Sequence, residues 1–202
     1  MKLSLIGMMV AVMMLAGLTV NAAGKELLLL SAPGTDSKLG SRVEQFCKTE
    51  LNGLPVTLKT LSKDSELAWP ALGKSIEAMM GKNDLAAVLL SSRAVSSNSV
   101  TIASNMPVAV VQLTDPRKDG KASDETYARW IERETMRAYG LLLGVKTCPN
   151  PQCAMSDYKV KPESLSSLGR NYCPYCKKSL TDQAKAKGVV FPEPKRVKKV
   201  EK

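Results

Sequence analysis

The chain has 202 residues, with 29 Lys and Arg against 19 Asp and Glu, five cysteines and no histidine. The absence of histidine excludes Ser-His-Asp and Cys-His catalysis and every zinc site that uses imidazole, so cysteines and carboxylates are the only strong metal ligands left. With 44% hydrophobic and 24% charged residues, the composition is that of a globular chain with a core, long enough for one domain of ordinary size plus tails.

The first 22 residues have the pattern of a secretory signal peptide. Met1-Lys2 precedes an uncharged, mainly apolar run from Leu3 to about Val20, and Val20-Asn21-Ala22 resembles a cleavage site with small residues. We therefore expect a mature chain that begins near Ala23 and is exported, either to a periplasm or outside the cell, with no transmembrane helix after cleavage. The alternative is an uncleaved membrane anchor, because about 18 apolar residues can just span a bilayer.

Apolar periodicity predicts alternating strands and helices along the mature chain. In chain order we expect a strand, a helix, a strand, a helix, three strands and a long helix, namely Glu26–Ala32, Ser37–Leu51, Val56–Leu61, Trp69–Met80, Leu85–Leu90, Val100–Ala103, Val108–Leu113 and Asp124–Leu143. The sixth and seventh segments are expected to pair as a hairpin. Periodicity weakens after Gly144, so the order predicts an α/β domain with a small Cys-rich C-terminal subregion. Cys47, on the apolar stripe of the first helix, is predicted to be a buried core thiol.

Four of the cysteines form two closely spaced pairs, Cys148-x4-Cys153 and Cys173-x2-Cys176. Two such pairs can supply the four thiolates of a closed structural zinc site. Two disulfides are the main alternative, because an exported protein meets an oxidising compartment. A redox role for Cys173-Pro174-Tyr175-Cys176 is a further alternative, although such a motif is expected to open a helix within a βαβ unit rather than to lie near a C-terminus. The last alternative is that the four cysteines form a binding knuckle that has no role in packing.

The C-terminal segment Lys185–Lys202 carries seven Lys or Arg and two Glu, so half of the formal net charge of +10 lies there. A basic tail can bind nucleic acid, an anionic lipid or a polyanionic polymer of the cell envelope. The favoured interpretation is a solvated, disordered end, and a binding tail is the alternative. Nucleic acid is not expected, because Phe191 is the only aromatic residue in the segment and does not make a stacking platform alone.

The segment from Arg137 to Cys176 resembles the signature of the archaemetzincins, a family of metzincin zinc metallopeptidases. The family signature is HExxHxxGxxHC, then x4-C-x-M, then CxxC, and the matching residues here are Gly144, Cys148, Cys153, Met155, Cys173 and Cys176. The resemblance implies an α/β fold with a metzincin-like mixed sheet, a long helix equivalent to the active-site helix, a Met-turn methionine at Met155 and a structural zinc on the four cysteines.

The catalytic residues of that signature are replaced. The three zinc-binding histidine positions hold Arg137, Leu141 and Thr147, and the general-base Glu position holds Ala138. A guanidinium and an isobutyl group do not ligate zinc, so neither a catalytic zinc nor peptidase activity is expected. One hypothesis is that Arg137 places a fixed positive charge where the catalytic ion would lie and holds Glu134 or another carboxylate; the alternative is that Arg137 points to solvent.

The sequence therefore predicts an exported, catalytically inactive archaemetzincin-like protein with one structural zinc and a binding role. The expected partners are an unidentified peptide or protein in the cleft beside the long helix, or an anionic envelope polymer or lipid at the tail. The alternatives are an active zinc metallopeptidase with non-standard ligands and a thiol oxidoreductase that uses Cys173 and Cys176. The expected units are a signal peptide at 1–22, an archaemetzincin-like domain at 23–182 with its zinc subregion at 148–176, and a basic tail at 183–202.

Overall fold

A computed structural model describes residues 24–51, 53–62, 67–96, 98–113, 123–156 and 167–191. The predicted signal peptide and residues 192–202 of the predicted tail lie outside these ranges. In chain order, the elements are β1 (Glu26–Ser31), α1 (Ser37–Glu50), β2 (Val56–Thr60), α2 (Ala71–Met79), β3 (Asp84–Ser91), β4 (Val100–Ile102), β5 (Val108–Gln112), α3 (Asp124–Leu143) and α4 (Pro174–Ala186). Among the residues that the structure describes, no helix has the length and apolar character needed to cross a membrane.

The strands form one mixed sheet in the order β2-β1-β3-β5-β4. β1, β2, β3 and β5 run parallel, and β4 is antiparallel to β5, which confirms the predicted hairpin. The consecutive leucines of β1 alternate between two apolar cores: Leu27 and Leu29 face α1 and α3, and Leu28 and Leu30 face α2. A parallel strand buried on both faces accounts for this continuous apolar run.

The long helix α3 has the bounds that the sequence predicts, and local signals account for them. The hydroxyl of Ser123 accepts a hydrogen bond from the backbone N–H of Thr126, which caps the first turn. Gly144 ends the helix in the left-handed conformation, with φ of 93°. α3 packs across the sheet beside α1 and carries three of the positions at which residues of the archaemetzincin signature are replaced, Arg137, Ala138 and Leu141.

The C-terminal helix α4 was not predicted from the sequence. It begins just after Cys173, with Pro174 in its first turn, and buries only Cys176, Leu180 and Ala184. It continues to Ala186, so residues 183–186, which are predicted to begin a disordered basic tail, are helical. The Cys173-x2-Cys176 motif therefore opens a helix, but no strand follows α4 in the described part of the chain, so the motif is not part of a βαβ unit of the sheet.

Candidate metal centre and the adjoining helix

The sulfur atoms of Cys148, Cys153, Cys173 and Cys176 form one compact cluster. Their Sγ atoms all lie within 4.8 Å of one another, and the Sγ atoms of Cys148 and Cys173 are 3.9 Å apart. Four sulfurs placed tetrahedrally at 2.3 Å from a zinc ion would be about 3.8 Å apart. The bond in a disulfide is about 2.05 Å, and all four thiols are free. The cluster therefore has the donor set and the spacing of a four-cysteine zinc site.

Two short segments bring these thiols together. In the first segment, the N–H of Cys148 donates to the carbonyl of Met155 at 2.9 Å, and the N–H of Cys153 donates to the carbonyl of Asn150 at 3.0 Å. In the second, Cys173 occupies the N-cap position of α4 and Cys176 lies in the first turn. A hydrogen bond joins the two segments: the N–H of Cys173 donates to the Sγ of Cys153 at 3.3 Å.

Direct backbone packing holds the two segments against each other. The N–H of Ala154 donates to the carbonyl of Asn171 at 2.9 Å, and the side-chain amide of Gln152 donates to the carbonyl of Ser167 at 2.7 Å. A Cβ atom at Gly169 would overlap the backbone carbonyl of Gln152, so only glycine allows this approach. The metal ligands are therefore positioned by a folded subregion.

The thiols of the cluster differ in pKa. Burial raises the pKa of the Cys176 and Cys153 thiols above the usual range. Burial acts the same way on Cys173, but hydrogen bonds to its sulfur from the N–H of Cys176 and from neighbouring thiols outweigh it and lower its pKa. The N-terminus of α4 also stabilises negative charge at this position. Four adjacent thiolates repel one another, so full deprotonation of the set requires a cation.

Zinc suits this donor set because tetrahedral sulfur coordination is the arrangement that the ion prefers in structural sites. In the described part of the chain, these four cysteines are the only group of three or more Cys, Asp or Glu residues close enough to hold a metal ion. Cys47 is separate from the cluster. It is fully buried on α1, and burial raises its pKa, which confirms the prediction of a core thiol.

The four positions that match the catalytic residues of the signature lie at the C-terminal end of α3 and just beyond it. Ala138 is fully buried in the core, Leu141 is half-buried, and Thr147 is exposed. The side chain of Arg137 is 21% exposed, and its Nη1 lies 4.0 Å from Oε2 of Glu134. This placement agrees with the hypothesis that Arg137 accompanies a carboxylate, and Glu134 is that carboxylate.

Glu134 is the centre of a buried polar group on α3. Its carboxylate is 1% exposed and accepts hydrogen bonds from Nη1 of Arg133 and, at 2.8 Å, from the hydroxyl of Ser99, which directly precedes β4. Nη2 of Arg133 donates to the carbonyl of Ser156 at 3.0 Å. Two guanidinium groups, those of Arg133 and Arg137, therefore share one carboxylate beside the sheet-edge strand.

A second buried carboxylate, Glu132, links α3 to α1 and to the zinc subregion. Nε of Arg42 donates to it at 2.8 Å, and Nη1 of Arg170 donates to its other oxygen. Glu132, Arg133 and Glu134 are consecutive residues that are each no more than 2% exposed. Sequence reasoning missed Glu132 and Arg133, because consecutive charged residues on a helix usually lie in solvent and no local signal marks their partners.

Met155 lies directly beneath α3. It is fully buried, and a Cβ atom at Gly140 would overlap its sulfur. Beside this contact, the hydroxyl of Tyr172 donates to the carbonyl of Met136 at 2.5 Å. The loop that carries Cys153 and the segment that leads to Cys173 therefore both pack on the half of α3 that holds the signature positions.

Three solved structures show the same chain path. The chain aligns with archaemetzincin from Methanopyrus kandleri with a TM-score of 0.59 and 22% identity, over 82% of this chain and 99% of that one. A zinc-dependent peptidase from Methanocorpusculum labreanum aligns with a TM-score of 0.61 and 17% identity, over 76% of this chain and 99% of that one. The fold is that of the archaemetzincins.

A third structure extends this comparison. Archaemetzincin from Archaeoglobus fulgidus, solved with malonate, aligns with a TM-score of 0.55 and 15% identity, over 75% of this chain and 98% of that one. No protein-family model matches the sequence. No curated protein is significantly similar to it in sequence. At these identities the archaemetzincin likeness is one of fold, so activity has to be argued from the residues of this chain.

Proposed function

We propose that this chain is an exported, catalytically inactive protein with the archaemetzincin fold, which holds one structural zinc and binds a peptide or protein beside α3. The observation that carries the proposal is the contact between Arg137 and Glu134 at the first histidine position of the signature. A guanidinium there repels a metal cation and compensates the negative charge of the buried carboxylate. Leu141 and Thr147 at the other two positions supply no imidazole, and Ala138 supplies no general base.

The four-cysteine cluster supports a structural role for the zinc. Four protein thiolates fill a tetrahedral zinc shell and leave no position for the water that a catalytic zinc activates. The residues that would hold the ion are Cys148, Cys153, Cys173 and Cys176. In this role zinc supplies a crosslink between two segments that have little regular secondary structure before α4.

The short strand β4 supports a peptide-binding role. β4 is the edge of the sheet next to α3, and Ile102 in it is 37% exposed. An edge strand offers unpaired N–H and C=O groups to which an extended peptide can add as a further strand. The surface between β4 and the Arg137 segment of α3 is therefore the proposed site for a peptide or protein partner.

Export and a second partner are proposed on the sequence of the two ends. The apolar run after Met1-Lys2 favours secretion, and the basic segment Lys185–Lys202 favours an anionic envelope polymer or lipid over a neutral partner. Mass spectrometry of the protein from its native host tests export, because cleavage would place the mature N-terminus near Ala23. An intact N-terminus in the membrane fraction would contradict it.

Metal content and proteolysis, measured on the same preparation, test the inactive assignment. We expect one zinc per chain by elemental analysis and no cleavage of casein or of a quenched fluorescent peptide library. Two zinc ions with cleavage that a chelator abolishes would favour a metallopeptidase with non-standard ligands. No zinc with two disulfides would remove the structural metal from the proposal.

A thiol oxidoreductase is the second candidate, because the Cys173-x2-Cys176 motif does open a helix. The cluster geometry argues against it, since two further thiols lie within 4.8 Å of the motif. Equilibration of the zinc-loaded protein with glutathione redox buffers distinguishes a structural zinc site from a thiol oxidoreductase. We expect all five thiols to remain reduced at the potentials of such buffers, whereas reversible oxidation of the Cys173 and Cys176 pair would favour the redox role.

A further inference from the structure

One side of α4 is exposed from its first turn to its last. The helix packs on α3 and buries a single stripe of side chains, which are Cys176, Leu180 and Ala184. The helical period places an exposed set on the opposite side, namely Tyr175, Lys178, Asp182 and Lys185. These four residues are called the outer face of α4 below.

α4 carries a positive charge that the described carboxylates do not compensate. Residues 174–187 contain four lysines and one acidic residue, Asp182, so their net charge is +3. Asp182 pairs with Lys178 at 2.8 Å. Within the described ranges, no carboxylate lies at ion-pair distance from Lys177, Lys185 or Lys187. These three lysines are therefore available to an anionic partner.

Exposed apolar side chains lie at both ends of this basic segment. Tyr175 is 80% exposed and Val190 is 91% exposed, more than any other large hydrophobic residue that the structure describes. After α4 the chain turns at Gly188, where φ is 88°; Val189 packs into the core and Val190 remains exposed. A partner with an apolar layer would remove both Tyr175 and Val190 from water, which is favourable.

This combination of groups favours a lipid bilayer over a hydrated polyanion. A hydrated polymer would contact the lysines and leave Tyr175 and Val190 in water, whereas a bilayer offers both phosphates and an apolar interior. Tyrosine is enriched at membrane–water interfaces because its ring is amphipathic. Beyond Phe191 the sequence adds five Lys or Arg and two Glu, so its basic character continues directly from α4.

We propose that the outer face of α4 docks on an anionic phospholipid bilayer. Tyr175 and Val190 lie at the level of the headgroups, and Lys185 and Lys187 contact the phosphates. Tyr175 lies between two candidate zinc ligands, so a zinc ion held there would fix the position of its ring. The inference rests on the anionic partner proposed for the basic tail; it names that partner as lipid and adds a folded docking surface.

Co-sedimentation of the zinc-loaded mature chain with lipid vesicles tests the proposal. We expect binding to vesicles of equal parts phosphatidylglycerol and phosphatidylcholine, and binding to pure phosphatidylcholine that is about tenfold weaker or absent. The variant Tyr175→Ser, Val190→Ser keeps the whole tail and is expected to bind the anionic vesicles about tenfold more weakly. The matched control is Leu67→Ser, Met79→Ser, because these exposed residues lie just before α2 and at its end, and it should bind like the unaltered chain.

A second pair of variants tests the lysines. Lys185→Gln, Lys187→Gln is expected to weaken binding to the anionic vesicles about tenfold. Lys74→Gln, Lys82→Gln removes the same charge from exposed positions on and just after α2, and it should bind like the unaltered chain. The zinc content of each variant checks that the cysteine cluster is intact. Val190→Ser alone provides the apolar test if Tyr175→Ser disturbs that cluster.

Failure of this inference can be distinguished from failure of the function proposed for the tail. If the α4 variants bind anionic vesicles as tightly as the unaltered chain, docking through α4 is overturned and lipid remains the partner of the tail. If the unaltered chain binds inorganic polyphosphate but no vesicle, the lipid inference is overturned and an anionic polymer remains the partner. If it binds neither probe, the function proposed for the tail is contradicted as well.

Discussion

The guanidinium of Arg133 on α3 donates from Nη2 to the backbone carbonyl of Ser156, at 3.0 Å, in the loop that follows Cys153. The same guanidinium pairs through Nη1 with the buried carboxylate of Glu134. One side chain that is 2% exposed therefore holds the zinc subregion and neutralises a buried charge on the helix. Because of this double role, replacement of Arg133 tests how the zinc subregion is attached to α3.

Replacement of Arg133 by Met is expected to lower the free energy of unfolding by about 3–5 kcal/mol. The loss follows because Glu134 would keep only the more distant Arg137 and the hydroxyl of Ser99, and the carbonyl of Ser156 would lose its donor. Urea denaturation of the zinc-loaded protein measures it. Arg129→Met, at an exposed position of the same helix, is the control and is expected to change stability by less than about 0.5 kcal/mol.

The double variant Arg133→Met, Glu134→Met separates charge from packing. If an unpaired carboxylate causes most of the loss, removal of both charges is expected to recover part of it, because a buried ion pair can be exchanged for apolar groups at little cost. A single Arg133→Met loss below about 1 kcal/mol would show that the carboxylate finds water or another partner.

Gly140→Ala is expected to destabilise the protein by about 1–3 kcal/mol, since the new methyl would overlap the sulfur of Met155. Helix propensity alone predicts the opposite sign, a gain of up to about 1 kcal/mol. Thermal or urea unfolding shows whether the overlap with Met155 or the gain in helix propensity dominates. Gly40→Ala is the matched control, because a Cβ there meets Leu58 at an ordinary 3.5 Å. We expect Met155→Ala to relieve part of the Gly140→Ala penalty.

The strands and the first three helices follow from local patterns. β1 is a continuous apolar run, and α3 is bounded by the Ser123 cap and Gly144, so both elements can be predicted without knowledge of their neighbours. α4 lacks such a pattern. Its buried positions hold Cys176, Leu180 and Ala184. Cysteine and alanine are small, and Cys176 is interpreted from the sequence as a metal ligand, so these positions give only a weak apolar period.

The buried charges of α3 could not be predicted for a different reason. Glu132 is paired with Arg42, 90 residues earlier, and with Arg170, 38 residues later, so neither partner lies in its local window. The contact of Arg137 with Glu134 could be offered from the sequence as one of two hypotheses, because the two residues are three apart on one helix.

Zinc binding is expected to release protons from the cysteine thiols at neutral pH. Burial raises the pKa of the Cys153 and Cys176 thiols and so favours their protonated forms in the metal-free protein, while the pKa of Cys173 is lowered by hydrogen bonds to its sulfur. Affinity should therefore fall as pH falls, because protons compete for the sulfurs. Competition with a chromophoric chelator between about pH 6 and pH 8 measures the slope. Cys47→Ala should leave it unchanged, and a pH-independent affinity would argue against thiolate ligation.

Introduction of histidines at the three ligand positions of the signature tests whether the backbone around Arg137 has the shape of a metal site. The variant Arg137→His, Leu141→His, Thr147→His is expected to raise the zinc content from one ion per chain to two. The exchange should be tolerated, because Thr147 is exposed, Leu141 is half-buried, and Glu134 keeps Arg133 and Ser99 as partners. Ala138 is left unchanged in this variant, since it is fully buried and a carboxylate there would lose hydration.

The matched control adds histidines to the same region at positions outside the signature. Arg129→His, Lys146→His is expected to keep one zinc, because these exposed residues do not combine with a third ligand at the helix turn that ends in Gly144. Elemental analysis after gel filtration gives the stoichiometry for both variants. Two ions in the three-histidine variant and one in the control would show that the absence of imidazole ligands, and not the shape of the backbone, removes the catalytic ion. One ion in both variants would indicate that the backbone around these positions no longer has the shape needed to bind a second zinc ion.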